Sequence, residues 1–187
     1  MADIKKWFQP EITKKAIYEG IYPVVITAAK TFTKEAKRED DSTFQREVVA
    51  LTFKTLTDVP FPDKTTGRIV VEQNYYFDVQ MHQNALNGIA RAFGVDGLCD
   101  TDQLEGKTGL IGIINREYQN NEGETKTIAQ CGFGLFSYAP MCENAQVEYI
   151  ANEIDHKPND EEYKEWFKKH LASYKSPKQQ PIKFEVR

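Results

Sequence analysis

Hydrophobic residues recur with a period of two over much of this chain, and the period changes in two places. Residues 18–29 are rich in β-branched and aromatic side chains and read as a first strand, which residues 30–33 extend. Pro23 has no amide hydrogen for a ladder, so it belongs near a strand start or an edge. Residues 34–42 are charged with both signs and read as a solvated loop. The second strand covers residues 43–58. It sets Val48, Ala50, Thr52 and Lys54 on one face and Val49, Leu51, Phe53 and Thr55 on the other, so both faces are expected to be partly covered. Residues 59–67 form a proline-rich turn, and residues 68–77 a third strand. The period then becomes helical over residues 79–93, with Asp78 as the expected N-cap and Gly94 as the stop. A turn-rich linker, residues 95–103, leads to two β-rich runs, 108–118 and 125–138, around a polar Asn/Gly tip. Gly109, Gly112, Gly132 and Gly134 inside these arms predict bends or close backbone approaches.

The pattern divides the chain into an arm (1–16), a main domain (17–138) and a helical extension (139–187). In the arm, Trp7 and Phe8 read as a hydrophobic anchor. In the extension, residues 143–153 read as a short helix. A clearer helix follows, with Asn159 as its N-cap. Tyr163, Trp166, Phe167, His170, Leu171 and Tyr174 give it a wide apolar face, to be covered by the main domain or by a second subunit. Ile182, Phe184 and Val186 alternate with charged residues, as a terminal edge strand would.

Three strands, a helix and a hairpin define a mainly β, α+β domain with a mostly antiparallel sheet. A helix between the third and fourth strands is the arrangement of the five-stranded OB barrel. A ferredoxin-like sheet is the alternative.

Composition narrows the class. The 187 residues are 40% hydrophobic and 28% charged, the balance of a globular protein. No apolar run approaches the roughly 18 residues that cross a bilayer, and no apolar signal region follows the first lysines, so a cytoplasmic location is expected. Cys99, Cys131 and Cys142 form no Cys-x-x-Cys pair and read as reduced, buried thiols; neither metal nor cofactor is expected. The net charge of −4 argues against indiscriminate polyanion binding but leaves room for a local basic groove.

Catalytic patterns are absent. There is no Gly-x-Ser-x-Gly elbow, and Gly106-Lys107-Thr108 matches only the tail of a phosphate loop. The expectation is a non-enzyme. Single-stranded nucleic acid needs cations along a groove and flat rings on which bases stack. Candidate cations are Lys30, Lys34, Lys37, Arg38, Arg46, Lys54, Arg68, Arg116 and Lys126; candidate rings are Phe32, Phe44, Tyr75, Tyr118 and Phe133. Phe32 with Lys34, Phe44 with Arg46, and Arg116 with Tyr118 are each two residues apart, which on a strand puts cation and ring on one face. A contrasting reading is a protein-interaction module that docks a partner through the aromatic face of the last helix and the terminal strand.

Three stretches carry a family resemblance: Tyr18-Glu19-Gly20-Ile21-Tyr22-Pro23-Val24-Val25-Ile26, Asn87-Gly88-Ile89-Ala90-Arg91-Ala92-Phe93-Gly94, and Leu104-Glu105-Gly106-Lys107 with the strand ending Arg116-Glu117-Tyr118 and its Asn/Gly tip. Together they resemble small bacteriophage proteins with an OB-type domain, found among replication and recombination functions. The resemblance spans residues 17–138 and implies non-enzymatic binding of single-stranded DNA in the host cytoplasm. The partners it implies are DNA and phage or host replication or recombination proteins; self-association is a further expectation. The acidic tail common in single-strand-binding proteins has no counterpart in the mixed-charge end of this chain.

Overall fold

The computed structural model describes residues 11–97, 100–132, 137–143 and 145–175. Trp7, Phe8, Cys99, Phe133, Gly134 and the expected terminal strand lie outside the described residues. In chain order the elements are β1 (Gly20–Lys37), β2 (Thr43–Thr55), β3 (Val59–Pro60), β4 (Thr66–Gly67), β5 (Val70–Tyr76), α1 (Gln80–Ala92), β6 (Thr108–Gln119), β7 (Thr125–Cys131), β8 (Tyr138–Pro140), β9 (Glu148–Tyr149) and α2 (Asp160–Lys175). The protein is mainly β, with one antiparallel sheet ordered β5-β2-β1-β6-β7 and two helices. β8 and β9 add to β6 and β1, while β3 and β4 pair separately.

The first strand is longer than its hydrophobic run. β1 continues to Lys37 and pairs with β2 through Lys34–Arg46, Ala36–Phe44 and Lys37–Thr43. The expected 34–42 loop therefore shrinks to a turn in which Arg38 N donates to Ser42 O and Asp41 takes φ 62°. Its charges are compatible with a strand because both faces of this projecting hairpin are largely solvated. A register shift between Ile26 and Ala28 brings Ala29, Leu51 and Phe53 to the inner face. The second strand ends at Thr55 rather than residue 58. Beyond it, Leu56 N donates to Pro23 O, and Arg68 Nη1 donates to the carbonyls of Thr55 (2.9 Å) and Leu56.

Two apolar clusters flank the sheet. The first joins Ile26, Leu51, Phe53, Val71 and Tyr75 to Leu86, Ile89 and Phe93 of the α1 region. The second, on the other side, joins Ile21 and Leu110 to Trp166, Phe167 and Leu171 of α2. The aromatic face of α2 is therefore buried within this chain. Asn159 caps α2 as expected: its Oδ1 accepts from Glu161 N and Glu162 N, and Glu162 reaches back to Asn159 N. The cap expected at Asp78 is a different matter. Val79 holds that position with no side-chain bond, and the Asp78 carboxylate turns to Arg46 instead. The described residues among 143–153 do not form the expected helix either. β9 adds to β1 there, and a single 3₁₀ turn, Ile150–Asn152, follows.

The sheet's two outermost long strands, β5 and β7, face each other without a ladder among the described residues. Thr13 spans the gap. Its N–H donates to Val70 O (3.0 Å), its Oγ1 accepts from Val70 N (2.9 Å), and its carbonyl accepts from Ala129 N (2.8 Å).

Candidate nucleic-acid interface

In an antiparallel ladder, directly paired residues project to the same face. The outward face of β1, β2 and β5 therefore carries Phe32 beside Val48 and Tyr76, and Lys34 beside Arg46. Four cation–ring contacts tie these side chains together. Lys34 Nζ lies 4.5 Å from the Tyr76 ring centre and donates to its hydroxyl at 3.2 Å. Arg46 lies between two rings, 4.7 Å from Tyr76 and 5.4 Å from Phe44. Arg38 covers Phe44 at 4.7 Å. Phe32 is 42% exposed, a large apolar ring left in solvent beside this ladder. A guanidinium held over a ring is preorganised to take a base or a phosphate on its open side.

His82, from the first turn of α1, stacks on Tyr76 with 4.9 Å between centroids and an 18° interplanar angle. Its Nδ1 accepts from Tyr76 N at 3.1 Å, which fixes ring and tautomer. Burial and then the Arg46 guanidinium hold its pKa below the ordinary histidine value, against the opposing pull of Asp78. The imidazole is neutral at physiological pH and carries its proton on Nε2.

A groove of about 480 Å³ continues this surface across the gap to β6 and β7. Gln73, Asn74, Tyr76 and His82 line one side, and Arg116, Tyr118 and Gln130 line the other. Tyr118 is 38% exposed, and Arg116 donates to Gln130 Oε1 at 3.3 Å. Asn74 Oδ1 is buried there and has no hydrogen-bond partner among the described residues.

Not every residue expected in the interface is present. Tyr75 is 2% exposed, in the inner cluster, where burial holds its phenol well above the usual range. The ring on the outward face is its neighbour Tyr76, half-buried under His82, Lys34 and Arg46, because the side chains of a strand alternate. Lys37 has the opposite parity to Lys34 and projects from the other face of the hairpin. Arg68 clamps a turn by bonding Asp58 and two carbonyls. Lys54 is on the outward face but lies eight residues along β2 from Arg46. Lys126 sits opposite Tyr118 and is paired with Glu124 at 2.7 Å. Carboxylates also reach the ladder: Asp78 Oδ2 accepts from Arg46 Nε (3.1 Å) and Nη2 (2.8 Å). Tyr76 and His82 were not singled out by the sequence.

Among the described residues no three His, Cys, Asp or Glu side chains converge as a metal site, and no helix is long and apolar enough to cross a membrane. The buried Cys131 thiol is pushed up to about 12, by burial. No protein-family model matches the chain, and a search of curated proteins finds no match.

Proposed function

We propose that the protein belongs to the nucleic-acid-binding class built on an OB-type barrel. The order β5-β2-β1-β6-β7, with α1 after the third long strand, supports this reading: counted along the long strands it is 3-2-1-4-5, and Thr13 fills the join between the third and fifth. Within that class the reading is a single-stranded-DNA-binding protein of phage replication or recombination. It holds phosphates with Lys34, Arg38, Arg46 and Arg116 and stacks bases on Phe32, Phe44, Tyr76 and Tyr118.

The observation that carries the proposal is the run of interleaved cations and rings on one outward sheet face, ending in an open groove. The fields of the two charge signs are local, so a chain of net charge −4 can still present a cationic track. The contrasting docking reading uses the aromatic face of α2 and the terminal strand. That face packs on Ile21, Leu110 and their neighbours, and the terminal strand lies outside the described residues.

Titration of a labelled single strand at rising salt tests the proposal. The expected result is binding whose log affinity falls linearly with log salt. No binding at low salt, or binding indifferent to salt, refutes it.

A further inference from the structure

A second groove of about 860 Å³ adjoins the first, and Ile12 lines both. Its lining includes Lys14, Lys15, Thr52, Lys54, Phe61 and Arg68. Lys54 lies eight residues along β2 from Arg46, about 26 Å at the usual strand rise. Val48, Ala50 and Thr52 between them are buried, and the exposed Glu72 stands beside Thr52.

The chemistry of this groove differs from that of the first. Lys15 is held over the Phe61 ring at 3.7 Å, bonds Thr65 Oγ1 at 2.7 Å and approaches Asp63 at 3.4 Å. Arg68 is paired with Asp58 at 2.9 Å. Neither Lys14 nor Lys54 has a carboxylate within ion-pair distance among the described residues. One carboxylate, Glu11, shares the wall. Phe61 is buried beneath Lys15, so the groove presents ammonium groups and hydroxyls without a free ring face. Such a surface attracts an anionic backbone and offers bases nothing to stack on.

We infer that this groove is a second, phosphate-only subsite for the same single strand, which passes from the first groove over Ile12 to Lys14 and Lys54. The inference rests on the proposed function and adds a two-part footprint. A tetranucleotide, with three internucleotide phosphates, is too short to bridge the roughly 26 Å between Arg46 and Lys54, whereas a strand of about twelve nucleotides bridges it.

The test compares a labelled tetrathymidylate with an oligothymidylate of about twelve nucleotides, on the wild-type chain and on Lys14→Ala/Lys54→Ala. Two lost phosphate contacts should reduce the salt slope of the longer strand by about 1.4. Its affinity at low salt should fall at least about tenfold, while tetranucleotide binding stays within about twofold. Lys14→Ala alone, at an exposed position, should give about half the change in slope and guards against a folding defect at Lys54. An unchanged slope for the longer strand overturns the second subsite while leaving the ladder intact. An equal loss for both lengths also overturns it, because the groove would not be separate. Failure of both strands to bind the wild-type chain removes the proposed function and this inference together.

Discussion

At the level of single residues, the division of labour between Tyr75 and Tyr76 decides what this surface can do. Tyr75 belongs to the core and Tyr76 to the ladder. Tyr76→Ala should weaken single-strand binding by about 1–3 kcal/mol with the fold retained, if a base stacks there. Tyr75→Ala should instead lower the melting temperature, losing about 3 kcal/mol or more as large-to-small core substitutions do. Anisotropy titration and thermal melting of both variants separate the two effects. The distinction was only partly legible in the sequence. Tyr76 shares parity with Val70, Glu72 and Asn74, and Tyr75 with Val71 and Gln73, so each set mixes apolar and polar residues and only packing separates the two rings. His82 was not legible, because its stacking depends on where α1 turns back over β5. Its depressed pKa has a consequence for stability. Between that value and the unfolded value near 6.5, the unfolded chain binds more protons, so lowering the pH through about 6.5 should lower the melting temperature. His82→Gln, which cannot take up that proton, should flatten this part of the profile in scanning calorimetry.

At the level of elements, the glycines of β6 show a sequence expectation with a definite structural meaning. A Cβ on Gly112 would lie 2.5 Å from Phe167 Cε1, and one on Gly109 would lie 2.3 Å from Phe93 Cε2. Neither glycine is needed for a left-handed turn. Each lets a ring lie directly on the strand, one from each side of the sheet. Gly112→Ala should destabilise by about 1–3 kcal/mol through overpacking against α2, read from denaturant unfolding. Close approach was readable from glycine within a strand pattern; the identity of the ring was not, since Phe167 arrives from 55 residues further along the chain. The β1–β2 hairpin shows the opposite failure. Mixed charge over residues 34–42 resembles a loop, but cross-strand pairing and cation–ring contacts carry the ladder to Lys37. Hydrophobic periodicity loses its signal where neither face is buried.

At the level of the whole molecule, strand order emerged from hydrophobic alternation because one face of the sheet must be covered. The arm's role did not, because it is performed by backbone groups that any residue possesses, plus one hydroxyl. Thr13→Val keeps the shape and removes the acceptor for Val70 N, and should cost about 1 kcal/mol in denaturant unfolding. The β5–β7 join also separates what can be reached from sequence from what cannot. The five long strands follow from local pattern, whereas the surface they form together depends on two distant edges being brought side by side.

The Thr13 stitch has a kinetic consequence. One residue fastens both margins, so neither margin can slip while the other stays fixed. Hydrogen–deuterium exchange at the amides of Val70 and Ala129 should then proceed at matched rates, rising together when Thr13 is replaced by proline. Such matched rates would mark the lifting of a single thread rather than the fraying of two separate hems.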